Sequence, residues 1–327
     1  MRYREFAVRL HIVYRSVGSE NRKDRPDFYN KSLALASLLR AADNVDIETE
    51  LVFVNDGPIP AGRLEMMSEA GEVLGVRCGS NRSSYRWVLR LPRQRGWSPA
   101  DLVWFSEDDY LYTAASLRDL VRAANELDLA DYFALYSSMR FDPAATRCSP
   151  LISSATRSQG DPDAVLLGTA RWYHAVSATS TFGARLGAVL ADERLLRTCP
   201  FLGEAWDHAT CLAYQGYRPF GLRELAGGRP DPGHMGPPRA AARRVALVGV
   251  RTAADAVALA RRQRARRTLV APDPDLVTHM EQRFLAPGTD WAAVATAVAH
   301  WSRSRGQQTP WAPKAGAPKP DAPKPDA

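Results

Sequence analysis

The stretch LVWFSEDDYLY, residues 102–112, runs from a continuous apolar segment directly into three consecutive carboxylates. Four apolar residues in a row are typical of a short strand buried on both faces of a sheet. Glu107, Asp108 and Asp109 then follow, and adjacent like charges repel one another unless a positive group lies beside them. The stretch therefore predicts a buried strand whose carboxyl end needs a positive partner.

Similar apolar runs recur over the first 140 residues and alternate with helical patterns. Residues 10–14, 51–54 and 132–136 are strand-like, whereas Pro26 opens a helical pattern and residues 61–70 form another. Short apolar strands separated by helices predict an α/β fold with a mostly parallel sheet covered by helices on both faces. Ligands of such sheets bind beyond the carboxyl ends of the strands.

The remainder of the chain is expected to complete one domain over residues 1–304. Residues 1–140 and 141–304 would be its two halves, with a polar loop near residues 141–165 over the site. Further elements are predicted at residues 172–182 (strand), 184–196, 203–214 and 253–267 (helices), and in a last helix that begins after Asp290. Residues 305–327 repeat APKPD and are expected to be a disordered tail.

Composition and charge exclude several classes of protein. No run approaches the roughly 18 apolar residues that a membrane span needs, and the first apolar run contains charges, so no secretory signal is expected. The formal charge of +7 comes from scattered arginines without a recognition-helix pattern, so no specific nucleic acid is expected. The cysteines stand alone without zinc-finger spacing, which favours a cytoplasmic protein. They are Cys78, Cys148, Cys199 and Cys211.

The adjacent carboxylates allow two interpretations. Oxygen ligands at the end of a buried strand suit a hard divalent cation, Mg²⁺ or Mn²⁺, which would in turn neutralise a diphosphate. Alternatively, the acids form a solvated turn that caps the helix starting near Thr113.

Two motifs together resemble the nucleotide-binding half of GT-A fold glycosyltransferases of the family-2 type. They are VNDG, residues 54–57, and, roughly fifty residues later, FSEDDYLY, residues 105–112, which is similar to an EDD variant of the DxD motif. The resemblance covers about residues 7–220 in pattern. It implies a Mn²⁺- or Mg²⁺-dependent hexosyltransferase-type enzyme that moves a sugar from a nucleoside-diphosphate-sugar, with inversion, to a glycan, lipid-linked or small-molecule acceptor.

The resemblance also implies roles for individual residues. Asp109 would be the direct metal ligand, and Asp56 would bind the nucleoside unless it is an ordinary turn aspartate. The residues implied to bind the nucleotide-sugar are Arg15, Asp56, Asn81, Glu107 and Asp108. Of these, Glu107 and Asp108 would hold the loop and contact the ribose. His279 in LVTHMEQ is similar to a histidine that completes the metal or diphosphate site in some relatives, and His234 competes for that role.

The general base is expected in GEAWDHATCLAY, residues 203–214. A base must take the proton of the acceptor hydroxyl during an inverting transfer. Asp207 is the first candidate and Glu204 the second, because Ala205 occupies the position where many family-2 enzymes carry the catalytic acid. If neither acid faces the site, a retaining mechanism or a nucleotide-sugar- or polyanion-binding protein without catalysis is expected instead.

Two further alternatives concern the loop after the first strand and the arginine-rich helix. A sugar nucleotidyltransferase or an NAD enzyme needs a glycine-rich phosphate loop, but residues 14–21, YRSVGSEN, contain one glycine. The helix over residues 253–267 is either a solvated face or a peripheral contact with an anionic membrane.

Overall fold

The computed structural model describes residues 9–20, 23–137, 164–203, 206–225 and 237–306. Its strands are β1 (Arg9–Ser16), β2 (Glu48–Asp56), β3 (Glu72–Val76), β4 (Leu102–Glu107), β5 (Tyr110–Tyr112), β6 (Tyr132–Phe133), β7 (Val165–Leu167), β8 (Ala170–His174), β9 (Phe182–Arg185), β10 (Leu269–Asp273) and β11 (Val277–His279). Its helices are α1 (Lys31–Ala42), α2 (Ala61–Ala70), α3 (Asn81–Val88), α4 (Leu91–Arg95), α5 (Ser116–Glu126), α6 (Leu186–Thr198), α7 (Trp206–Tyr214), α8 (Leu222–Leu225), α9 (Pro237–Arg264) and α10 (Trp291–Ser304).

The described residues form a nine-stranded sheet in the order β3-β2-β1-β4-β9-β6-β10-β8-β7, and β5 and β11 form a separate antiparallel pair. Strands β3, β2, β1 and β4 are mutually parallel, whereas β9 and β8 run against their neighbours. Seven of the nine strands therefore point the same way, which confirms the predicted mostly parallel α/β fold.

The sheet is buried on both faces at β4, where residues 102–105 are all apolar. Leu102 and Trp104 of β4 pack with α1, α2, α5 and α10, whereas Val103 and Phe105 pack with α3, α4, α6 and α7. All four side chains are at most 1% exposed. A strand that is covered on both faces has an unbroken apolar sequence, and for this reason the sequence pattern predicted β4 correctly.

Several element boundaries follow from capping side chains. Ser80 Oγ accepts the backbone N–H of Ser83 and so caps α3. Asp290 Oδ1 accepts the N–H of Ala293, so the last helix begins after Asp290, as predicted. The helix expected from Pro26 instead begins at Lys31, because Asn30 caps it through the N–H groups of Ser32 and Leu33.

Other predictions were incomplete or concern residues that the structure does not describe. Helix α9 begins at Pro237, well before the predicted start at residue 253, and β3, β10 and β11 were not predicted. The expected loop near residues 141–165 lies outside the described residues up to residue 163, and Val165 begins β7. The tail beyond residue 306, Glu204, Ala205 and His234 also lie outside the described residues. The domain boundaries stay a prediction. None of the described helices has the length and hydropathy that a bilayer span requires.

Replacing Gly168 by alanine is expected to destabilise the β7–β8 turn. Gly168 has φ +62°, and a methyl group there would lie 2.7 Å from Oδ1 of the buried Asp119. We expect a loss of roughly 1–3 kcal/mol in the free energy of unfolding, measured by urea denaturation. The matched control is Gly62→Ala in α2, where nothing lies within 4 Å, and this change should be neutral or stabilising. Equal midpoints for wild type and Gly168→Ala would contradict the prediction.

Candidate active site

A cavity of about 790 Å³ lies at the carboxyl ends of the parallel strands β1, β2 and β4. Parallel strands end at the same edge of a sheet, so residues far apart in sequence meet there. Every predicted site residue within the described part of the chain lines this cavity. They are Arg15, Asp56, Asn81, Glu107, Asp108, Asp109, Asp207 and His279.

Arg15 and Glu107 form the centre of one hydrogen-bond network. They lie opposite each other where β1 pairs with β4, and Arg15 Nη2 is 2.8 Å from Glu107 Oε1. The other guanidinium nitrogen, Nη1, donates to Asn81 Oδ1 at 2.6 Å. Ser180 Oγ donates to Glu107 Oε2 at 2.6 Å. Three of the predicted nucleotide-binding residues are therefore held by one another.

Asp108 anchors the loop that follows β1. Its Oδ2 accepts the backbone N–H of Val17 at 2.9 Å and the hydroxyl of Ser16 at 3.1 Å. Lys31 Nζ lies 3.0 Å from the same oxygen and also donates to the carbonyl groups of Val17 and Ser19. Burial raises the pKa of the Asp108 carboxyl, and the charge of Lys31 opposes that shift. The expectation that Asp108 holds the loop matches these contacts, whereas its expected contact with a ribose stays a prediction.

Asp109 lies among basic side chains from two distant segments. Its Oδ2 is 3.0 Å from Arg25 Nη2, 3.0 Å from His279 Nε2 and 3.8 Å from Lys23 Nζ. The antiparallel pairing of β5 with β11 sets His279 opposite Tyr110 and so beside Asp109. Burial acts to raise the pKa of Asp109, but the hydrogen bond with His279 and the nearby positive charges outweigh it and hold this pKa below its usual range.

Asp109 and His279 supply two donor atoms of the kind that a divalent cation binds. Within the described residues, no group of three or more His, Cys, Asp or Glu side chains is arranged to hold a metal ion. Mg²⁺ is characteristically bound by one or two carboxylates together with substrate phosphates and water, rather than by a protein-only cage. The pair of residues therefore fits an ion that arrives with a diphosphate.

Asp207 lies at the start of α7 and faces the cavity beside Trp206. Its Oδ1 accepts the backbone N–H of His208 at 2.9 Å, and among the described residues it forms no ion pair. Burial raises the pKa of Asp207, and the negative charge of Glu107 adds to that shift. A carboxylate with a raised pKa and no cationic partner is suited to accept a proton.

Asp56 connects the end of β2 to the loop after β3. Its Oδ1 accepts the backbone N–H groups of Cys78 at 2.7 Å and Gly79 at 3.2 Å. Asp56 thus joins the end of β2 to the loop after β3, and it also lines the cavity. Its contact with a nucleoside stays a prediction.

The sequence interpretation missed several residues that complete the site. Lys23, Arg25 and Glu281 surround Asp109 and His279, and Glu281 Oε2 is 3.2 Å from Lys23 Nζ. Lys31 is the first residue of α1, where the helix dipole disfavours a positive charge. A lysine in the first turn of a helix indicates a negative partner nearby, and this was the signal that the sequence offered for Lys31.

Comparisons with known proteins identify no family for this chain. No protein-family model and no curated protein matches the sequence. Among solved structures, it is similar to S. aureus TarS 1–349 (15% identity, TM-score 0.36, 62% of this chain) and spans 54% of that chain. It is also similar to CMP:2-keto-3-deoxy-manno-octonic acid synthetase complexed with CTP (12%, TM-score 0.34, 57% of this chain and 78% of the other). A third similar structure is 4-diphosphocytidyl-2C-methyl-D-erythritol synthase, with 14% identity and a TM-score of 0.36. The match covers 74% of this chain and 99% of that chain. Likenesses this distant do not assign a function.

Proposed function

We propose that this chain is a GT-A type glycosyltransferase that moves a sugar from a nucleoside-diphosphate-sugar to an acceptor hydroxyl. One observation carries the proposal: eight residues implied by the sequence resemblance, spread from Arg15 to Asp207 and His279, line a single cavity. A sequence match by chance would have no reason to bring all of them to the same edge of the sheet.

The two ends of the cavity suit different parts of the donor. Asp56 and Asn81 offer hydrogen-bond acceptors and an amide near the exposed start of α3, which suits a nucleoside. At the other end Lys23 is 37% exposed, so its ammonium group is accessible to a diphosphate. Arg283 also lines this end and is 73% exposed. Both side chains are exposed enough to reach a phosphate group bound in the cavity.

Asp109 and His279 would hold the Mn²⁺ or Mg²⁺ that the resemblance implies. Such an ion supplies Lewis-acid stabilisation to a departing diphosphate. The protein's own contribution there is to keep Asp109 ionised, through the positive charges around it, and to keep His279 in place through the pairing of β11 with β5.

Asp207 would be the general base. Its carboxylate would take the proton of the acceptor hydroxyl while that oxygen attacks the anomeric carbon and the bond to the nucleoside diphosphate breaks. A single displacement of this kind inverts the anomeric centre. The raised pKa of Asp207 makes its carboxylate a stronger base than an exposed aspartate.

Ligand-dependent thermal stability tests the donor site. Unfolding midpoints would be measured with UDP-, GDP- and dTDP-sugars, with and without Mn²⁺. A ligand that binds only the folded state at about 100 times its Kd adds about 2.7 kcal/mol, so a rise of several degrees is expected for one nucleotide family. The rise should require Mn²⁺ and should be lost in Asp109→Asn.

The matched control is Asp46→Asn, an exposed aspartate outside the cavity, which should keep the full shift. No shift with any donor, or the same shift in Asp109→Asn, would overturn the donor site. A shift without turnover on any acceptor, and without slow hydrolysis of the donor, would instead assign a binding protein.

A further inference from the structure

The described exposed side chains along the middle of α9 lack the charges that a solvated helix normally carries. From residue 242 to residue 260, about 27 Å of helix, every side chain described as exposed is uncharged. They are Ala242, Val245, Ala246, Gly249, Thr252, Ala253, Ala256, Val257, Leu259 and Ala260. Val245 is 73% exposed and Leu259 47% exposed. A surface helix usually presents charged and polar residues to water, so this face suits a partner.

The opposite face of α9 packs against the rest of the protein. Ala254 and Ala258 are buried against the rest of the protein, and Asp255 accepts from the guanidinium of Arg218 and from the N–H of Phe220. Leu222 of α8, which packs against α9, adds another apolar side chain that is 80% exposed. The charged side chains of this stretch with described partners, Asp255 and Arg251, are therefore engaged with the rest of the protein.

Charge distinguishes between the possible occupants of this face. Residues 237–267 contain nine arginines and one acid, Asp255. Arg261 and Arg267 pair with the buried Asp192, and Arg251 donates to the carbonyl of Leu202. The sequence places six other arginines near the two ends of the helix, and the guanidinium of Arg266 lies over the ring of Tyr217. They are Arg239, Arg243 and Arg244, and Arg262, Arg264 and Arg266.

A second copy of the chain is a poor partner for such a helix. Two copies of α9 packed side by side, parallel or antiparallel, would bring arginine-rich ends together. The two longest segments outside the described residues carry no net negative charge either. Residues 138–163 hold three arginines and three aspartates, and residues 307–327 hold three lysines and two aspartates.

We propose that the outer face of α9 docks on a membrane surface that contains anionic phospholipids. The uncharged face would lie against the boundary between headgroups and acyl chains, and the arginines near both ends would meet lipid phosphates. This docking does not depend on the proposed glycosyltransferase activity, so either can fail without the other.

Vesicle flotation with the full chain tests the proposal. Vesicles of phosphatidylcholine alone and with about 30% phosphatidylglycerol would be compared at about 0.1 M and about 0.5 M NaCl. Binding is expected to the anionic vesicles only and should weaken at the higher salt concentration. The double variant Ala253→Glu/Ala256→Glu, which places two negative charges on the exposed face, should bind about tenfold or more weakly.

The control is Ala292→Glu/Ala293→Glu in α10, which makes the same change of charge at two exposed helical positions. It should bind like the wild type, and unfolding midpoints would establish that all proteins are folded. Equal losses in both variants, equal binding to neutral vesicles or no binding to anionic vesicles would overturn the proposal. So would a wild-type dimer in sedimentation that Ala253→Glu/Ala256→Glu converts to a monomer, because the occupant would then be a second copy.

Discussion

Replacement of Asp207 by asparagine is expected to lower the rate of sugar transfer by roughly 10²–10⁴-fold, the usual contribution of a general base. Asparagine keeps the size and polarity of the side chain but cannot accept the proton. Donor binding should change little, because the carboxylate forms no ion pair within the described residues and Asp109 and His279, which we propose as the metal ligands, are unchanged. The measurement is kcat beside the donor Kd from calorimetry.

The pH dependence gives a second readout for the same residue. Because burial raises the pKa of Asp207, the base becomes protonated at a pH above the ordinary aspartate value of about 3.9. Activity of the wild type should therefore fall as the pH falls through that raised pKa, and this acidic limb should be absent from the residual activity of Asp207→Asn. A variant with the wild-type rate and an unchanged acidic limb would show that another group, such as Glu204, is the base.

Replacement of Lys31 by methionine is expected to cost roughly 2–4 kcal/mol in the free energy of unfolding, since the buried Asp108 carboxylate loses its nearest cation and keeps only Arg63, at 3.8 Å. Lys31 is 5% exposed and Asp108 is 8% exposed. The loop after β1 also loses the two hydrogen bonds that Lys31 donates to its carbonyl groups. The double variant Lys31→Met/Asp108→Asn should recover part of the loss, as measured by urea denaturation.

The sign of the pH dependence separates this mechanism from a simple packing defect. Without Lys31 the folded-state pKa of Asp108 rises further above its unfolded value, so folding binds a proton. The deficit of Lys31→Met should then shrink as the pH falls and grow as it rises. Lys23→Met is the matched control: that lysine is 37% exposed, so its loss should cost less than about 1 kcal/mol. A pH-independent deficit would contradict the assignment to Asp108.

The sequence predicted those parts of the site that depend on strand ends. Asp56 and Asp109 both follow continuous apolar runs. The carboxyl ends of parallel strands lie at the same edge of a sheet, so the position of both residues in one cavity was predictable. Lys31 and Arg25 escaped prediction because their partners, Asp108 and Asp109, lie more than seventy residues away in sequence. Each of the three adjacent carboxylates has a positive partner in the protein itself. Arg15 pairs with Glu107, Lys31 with Asp108 and Arg25 with Asp109.

Two of the missed strands, β3 and β11, lack the local sequence pattern that would reveal a strand. β3 is only partly buried, so it lacks the unbroken apolar pattern that revealed β4. β11 is a three-residue strand, and its position is set by β5, some 165 residues earlier, rather than by any local periodicity. His279 was chosen through the family resemblance, and its contact with Asp109 depends on this distant pairing.

The position of β10 within the sheet has a consequence for how the chain folds. β10, at Leu269–Asp273, lies between β6 and β8, which come about a hundred or more residues earlier in the sequence. A growing polypeptide therefore cannot close its central sheet on the ribosome until nearly all of it has been synthesised. Such a high contact order favours slow folding and leaves the edges of β6 and β8 without their partner during translation, when they are vulnerable to pairing with other chains.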